Sequence, residues 1–379
     1  MERLNDFYYC EKDDLNYIRK IFLLSRIIFI AWFIYCIYII NPDKTRFFDS
    51  MSYYVIGTEG YTDGKLMAFF PLFPMIYGTL DNIFKTDIAT YIFNIICSYL
   101  STILIWKIST KVYSYNKETS KNMILYWLFS PIAFFTIIPY TESVFIFLTL
   151  SIIYIYKTKQ NPYLLGFLIG LNCFNKSFAL IFFLIIAILL AIDIIKENNT
   201  VEYFLKTFIV ATPIMLIYPL YCFFTTGDIF YFNTSQFEHW HRIPSNIFDI
   251  YITDIKGYIF RINTDYDRIL RHSLNLIPLL LLTYFIFIFS KSLISNIKNI
   301  NLEDFILVWG YILFCLIILT GNKKDLLQHA CQSIWRTCFS LAPIYLIPKN
   351  KLSVVFSIVI LTPLNLFLIY NFVNKIFLF

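Results

Sequence analysis

Three short polar clusters interrupt an otherwise apolar chain of 379 residues, and each carries groups able to do chemistry. In the first, FFDSMSYYVIGTEGYTDGK, Asp49 follows two phenylalanines. A carboxylate there is suited to act as a general base, taking the proton of an acceptor hydroxyl as an anomeric carbon is attacked. Its structural alternative is a solvated loop aspartate or a helix N-cap. Glu59 and Asp63 in the same stretch read more simply as solvated side chains. The second cluster is Pro139–Ser143, PYTES, where Glu142 stands at the junction of two apolar runs and either orients an acceptor or caps the helix that follows. An unpartnered carboxylate is costly at such a depth.

Two cations belong to the same argument. Lys176 occupies a two-residue polar turn, and Arg336 begins an apolar run in CQSIWRTCFSLAPIYL. Either can bind an anionic phosphate, arginine through a bidentate fork and lysine as a point charge. Either can equally snorkel to lipid headgroups. The third cluster, GDIFYFNTSQFEHWHRIP, offers Gln236, His239, Trp240, His241 and Arg242. Ring faces that pack on sugar C–H surfaces and amides that bond hydroxyls are typical of carbohydrate sites, although an interfacial Trp/Arg belt has the same composition. The spacing of His239 and His241 fits neither a helical metal pair nor a zinc signature.

The elements that must position these groups are membrane helices. Hydrophobic residues make up 58% of the chain and mean hydropathy is +0.65, well above what one soluble core requires. Runs of about 18 to 25 nearly uncharged residues match the roughly 30 Å hydrocarbon thickness. They lack the polar/apolar alternation of a barrel strand, so the expected class is all-α, a polytopic bundle. Spans are expected at 21–41, 88–106, 122–138, 142–156, 162–174, 177–192, 207–226, 273–290, 304–320, 335–347 and 352–374. A further segment, Leu66–Leu80, is interrupted by Pro71 and Pro74 and is expected to be re-entrant or a short helix. Met1–Lys20 shows no cleavable apolar leader, so 21–41 is expected to be a retained first span. The eight cysteines are scattered and mostly lie inside apolar runs, as small core residues and not as a disulfide frame or zinc site. A net charge of +6 without a basic stripe argues against nucleic acid.

With the N-terminus inside, the loops at 107–121, 157–161, 193–206, 291–301 and 348–351 fall on the cytoplasmic side. They carry Lys and Arg at roughly twice the density of the remaining loops, as the positive-inside rule requires. The loops at 42–87 and 227–272, the PYTES turn, Lys176 and 321–334 then share the external face. No repeat or linker divides the chain, and 1–379 is expected to be one membrane domain.

These segments resemble the PIG-V type of mannosyltransferases. The family pattern of an aromatic residue, Asp, a small residue, then Tyr, Ile, Gly-Tyr and FFP-x-x-P is found at Phe48, Asp49, Ser50, Tyr53, Ile56, Gly60, Tyr61, Phe69, Phe70, Pro71 and Pro74. The family's PY-S/T-ES motif is similar to Pro139–Ser143. Its GD-x-x-x-F-x-x-x-Q-x-x-W-x-R is similar to Gly227, Asp228, Phe232, Gln236, Trp240 and Arg242. Three departures stand out: Phe48 replaces the usual Trp, Ser52 a frequent His, and Lys176 a common Arg.

The resemblance, over roughly residues 20 to 345, implies a GT-C fold and transfer of mannose or a similar hexose from a polyprenyl- or dolichyl-phosphate donor to a glycan or glycolipid acceptor. It implies Asp49 as the catalytic base. Tyr53, Tyr61, Glu142, Lys176, Gln236, Trp240, Arg242 and Arg336 are implied as donor- or substrate-binding groups. The site would face the outside of a prokaryotic cell membrane or the lumen of the endoplasmic reticulum. No cofactor is required, and a divalent ion beside the donor phosphate stays open as an accessory. Two other expectations fit the same composition: a flippase for lipid-linked saccharides and a non-catalytic assembly subunit.

Overall fold

In the computed structural model, residues 12–40, 46–130, 133–240 and 362–374 are described, together with the backbone of 242–244 and 321–323 and a few isolated positions. The expected spans at 273–290, 304–320 and 335–347, most of the 227–272 loop, the Arg242 side chain and Arg336 lie outside the described residues. Elsewhere the apolar runs are helices. They comprise α1 (Lys12–Ile40), α2 (Asp49–Glu59), α3 (Leu72–Phe84), α4 (Ile88–Lys107), α5 (Lys117–Phe129), α6 (Glu142–Lys157), α7 (Pro162–Asn175), α8 (Ala179–Ile195), α9 (Val201–Thr226), α10 (Tyr231–Glu238) and α11 (Thr362–Val373). The exception is an antiparallel ribbon pairing β1 (Arg242–Pro244) with β2 (Gly321–Lys323).

Among the described residues, three segments are long and apolar enough to cross a bilayer: Lys12–Ile40, Ile88–Val112 and Val201–Thr226. At 1.5 Å per residue, α1 and α9 reach about 40 Å, more than the roughly 30 Å of hydrocarbon. Their polarity is inverted relative to a water-soluble helix. On α1 the inward stripe of Ile18, Phe22, Ser25, Phe29, Phe33 and Cys36 also takes in Arg26. Leu23, Ile27, Ile34 and Tyr38 face outward. On α9, Ile209 is 70% and Phe224 80% exposed. Apolar faces of this length are stable only against lipid. Apart from the short ribbon, the described residues are helical, and the apolar helices mark a membrane protein.

Local signals set the boundaries. Asn161 accepts from the Tyr163 N–H at 2.9 Å and Pro162 opens α7, while Thr200 accepts from Tyr203 N–H at 3.1 Å to open α9. Gly227, at φ 80°, closes α9 by donating to Phe223 O. Helices α7 and α9 run parallel in backbone contact, because Gly166 and Gly170 present no side chain to Thr207, Ala211 and Ile214, a small-xxx-small interface. Helix α6 is buried almost all round.

One expectation is sharpened and one corrected. The Leu66–Leu80 segment is broken at Pro71, as expected, and the short helix lies after the break: Pro71 and Pro74 begin it. Pro71 is the N-cap of α3 and Pro74 lies in its first turn, where the missing N–H has no partner to lose. Before it, Gly64–Ala68 forms a 3-10 turn. Helices α2 and α3 are about 17 and 20 Å long, too short to cross alone. They pack at Gly57 and Gly78, where a Cβ on Gly57 would lie 2.8 Å from the Gly78 nitrogen.

The run expected as a span at 122–138 is helical only to Phe129. Ser130 precedes Pro131 and turns extended, at ψ 161°, and a 3-10 turn follows at Ala133–Thr136. The freed carbonyls are met by buried polar side chains. Asn365 Nδ2 donates to Phe129 O at 3.1 Å, Arg26 Nη1 to Ala133 O at 3.3 Å, and Asn94 Nδ2 to Ile138 O and Tyr140 O. Irregular backbone inside a membrane protein requires this kind of internal satisfaction.

Candidate active site

Asp49 is the first residue of α2, half-buried, and Phe48 takes the N-cap position. Asp49 is therefore not itself the cap; it is a first-turn acid facing the positive end of the helix. The approach is strained, with Phe48 at φ 49° and ψ −120°. Such a conformation costs roughly 1–3 kcal/mol and persists only where the surroundings impose it. They do so here. Ser50 Oγ accepts from Phe47 N–H at 2.7 Å and donates to Phe47 O at 2.8 Å. The Phe47 and Phe48 rings lie 5.4 and 5.2 Å from Phe372 of α11.

Tyr53, one turn after Asp49, is the node that joins the clusters. Its ring meets Phe69 at 5.3 Å and Tyr140 of PYTES at 6.1 Å, both edge-on. The Tyr140 hydroxyl in turn donates to Phe47 O at 3.3 Å. Phe69 meets Trp240 edge-on at 5.5 Å. The third cluster is fastened to the first by hydrogen bonds from Ser235 Oγ to Gly64 O at 2.8 Å, Trp240 Nε1 to Lys65 O at 3.1 Å and Gln236 Nε2 to Ala68 O at 3.4 Å. Tyr61 donates to Phe69 O at 2.8 Å and stacks on Tyr218 of α9 at 5.5 Å. Burial pushes the Tyr61 phenol up, so it stays a neutral donor.

Glu142 opens α6 and Lys176 follows α7. Lys176 Nζ donates to Glu142 Oε1 at 2.8 Å, with the side chains 14% and 1% exposed respectively. Lys176 thus turns inward and does not snorkel. Around the pair, Asn172 Nδ2 donates to Thr149 Oγ1 at 3.0 Å and Asn175 Nδ2 approaches Thr141 O at 3.5 Å. Comparison with family models, curated proteins and solved structures finds no match for this chain.

The site's geometry brings Tyr53, Tyr61, Gln236 and Trp240 together around Phe69, beside Tyr140, and couples Glu142 to Lys176. Arg242 is described only as backbone, opposite Lys323 in the ribbon, and Arg336 falls outside the described residues. His239 Nε2 lies 4.0 Å from Glu238 Oε2. Among the described residues no three His, Cys, Asp or Glu side chains are grouped to hold a metal. A divalent ion at a donor phosphate would have to draw its ligands from the donor and from elsewhere in the chain.

Sequence reasoning passed over several participants. Arg46, Asp87 and Tyr77 tie the two ends of the first loop. Tyr218 receives that loop on α9, donating to Met67 O at 2.8 Å. Asn172 and Asn175 flank the ion pair. The signal available for the asparagines was their i, i+3 spacing ahead of Lys176 in an otherwise apolar run.

Proposed function

We propose that the chain is a GT-C-type membrane glycosyltransferase of the PIG-V kind, with about eleven spans. It would move mannose or a similar hexose from a polyprenyl-phosphate donor to a glycan or glycolipid acceptor, on the extracytoplasmic or lumenal face. The observation that carries this reading is the convergence of three polar clusters, far apart in sequence, on one aromatic node at Tyr53.

In this mechanism the acceptor hydroxyl gives its proton to Asp49 as its oxygen attacks the anomeric carbon. The bond from that carbon to the phosphate oxygen breaks, its electron pair leaves with polyprenyl phosphate, and configuration inverts. The leaving group is already a stable anion, so cationic stabilisation matters more than a general acid. One carboxylate then suffices, in contrast to the paired carboxylates of glycoside hydrolysis. Lys176 and Arg336 are the cations assigned to the phosphate. Trp240, with its edge on Phe69, and Gln236 are assigned to the sugar and its hydroxyls.

The test incubates purified protein with radiolabelled polyprenyl-phosphate-mannose and candidate acceptors, comparing wild type with Asp49→Asn. Loss of the base is expected to slow transfer by about 10²–10⁴-fold. Transfer at the wild-type rate in Asp49→Asn would remove Asp49 as the base. Donor that crosses liposomes without sugar transfer would replace the transferase by a flippase.

A further inference from the structure

Arg46 precedes Asp49 by three residues, and its contacts are made by the two ends of the first loop. Its Nε donates to Asp87 Oδ1 at 2.9 Å, just before α4 begins. The same oxygen accepts the Tyr77 hydroxyl of α3 at 2.8 Å. The guanidinium carbon sits 3.2 Å over the centroid of the Tyr54 ring of α2, and that ring meets Tyr77 edge-on at 5.7 Å. Four side chains from four segments therefore form a closed ring in which each touches two others. Arg46 and Asp87 side chains are 27% and 10% exposed, so the pair is partly shielded from salt.

The ring acts on the turn that carries Asp49. Arg46 fixes the chain immediately before the strained Phe48, and Tyr54, one turn beyond Asp49, fixes α2 from the other side. Tyr53 and Ser50 hold the inner face of the same turn. With both flanks of Asp49 anchored, rotation of the first turn of α2 requires breaking either the ion pair or the stack. Arginine suits this place because one planar group can pair with a carboxylate at its edge and stack on an aromatic face.

We propose that Arg46 and Asp87 form a latch that positions Asp49, making Arg46 a positioning residue for the transfer reaction. The proposal rests on Asp49 being the base. Its effect is on geometry, so it is expected in kcat and not in the donor KM; misplacement by about 1 Å is enough to cost 10²-fold.

The experiment uses the full chain in detergent and compares wild type, Arg46→Gln, Asp87→Asn, Arg46→Lys and Asp49→Asn. Two readouts are taken: hydrogen exchange of the amides at 47–59, and kcat and donor KM for transfer from polyprenyl-phosphate-mannose. The latch predicts faster exchange confined to that segment in Arg46→Gln and Asp87→Asn. It also predicts kcat lowered about 10- to 100-fold with KM within about twofold. Arg46→Lys, which keeps the ion pair and loses the planar stack, recovers part of kcat. Unchanged exchange overturns the latch. So does wild-type kcat in Arg46→Gln and Asp87→Asn when Asp49→Asn is inactive. Full activity of Asp49→Asn overturns the base itself, and the positioning role with it.

Discussion

Removing either partner of the Glu142–Lys176 pair should reveal a coupling far above that of a surface salt bridge. At 2.8 Å, and with an effective dielectric constant near 20, the gross attraction is about 6 kcal/mol. Desolvating both ions takes back much of it. Side-chain exposures of 1% and 14% place the pair where little of the remainder is lost to solvent. A net coupling of about 2–4 kcal/mol is expected, against at most about 1 kcal/mol for an exposed pair. The assay is a double-mutant cycle of Glu142→Gln, Lys176→Met and the double variant, by equilibrium unfolding in mixed micelles. A coupling below about 0.5 kcal/mol would refute the buried-pair argument. If Lys176 also meets the donor phosphate, Lys176→Met raises donor KM well beyond the effect of Glu142→Gln, whereas Lys176→Arg keeps both functions.

Other outcomes follow from single contacts. Gly57→Ala forces a methyl against the Pro74 carbonyl and the Gly78 backbone, and should destabilise the α2–α3 pair by about 1–3 kcal/mol, read as faster exchange at 49–84. Asp228 accepts from Phe230 N–H at 2.8 Å and Thr234 Oγ1 at 2.7 Å. The Thr234 and Phe230 bonds hold its carboxyl below the usual range. A depressed folded value stabilises above the unfolded pKa of about 4 and is lost as pH falls through the folded one. Acidification from pH 5 to 3 should therefore loosen α10 and change Trp240 fluorescence, with Asp228→Asn lacking that component. Arg26 is 3% exposed and donates to two neutral oxygens, Ser98 Oγ at 2.6 Å and Ala133 O at 3.3 Å. Arg26→Met, which keeps volume without the buried charge, should melt within a few degrees of wild type, while Arg26→Ala, which leaves a cavity, melts lower.

Hydropathy located the helices well, and for a physical reason: lipid contact depends on composition summed over a turn. Helices α1, α4, α6, α7, α8 and α9 all overlap the expected runs. Partnership was not legible. Arg26, Asn94 and Asn365 are each one polar residue in an apolar run, and the groups they satisfy lie from 44 to 236 residues away. No local pattern announces such a pairing. The end of α5 at Phe129 was readable in principle from Ser130-Pro131, but Ile132–Ile138 is apolar enough to hide it. In the site, Asp49 and Glu142 were conspicuous because carboxylates are rare beside apolar runs. Pairing between Glu142 and Lys176 was not, since 33 residues separate them.

Helices α7 and α9 are parallel, with Gly166 against Thr207 and Gly170 against Ala211. Carried forward, that offset brings Asn175 level with Leu216. Helix α9 runs on to Thr226, about 15 Å further, and the first loop docks on that extension through Tyr218 and Met67. Tyr218 lies two residues beyond Leu216, about 3 Å along the axis, so Glu142 and Lys176 sit close to the level at which the first loop docks on α9. A buried polar pair between apolar helices, close to an aromatic loop, is compatible with the lipid-phosphate donor proposed above, whose anionic group it could receive.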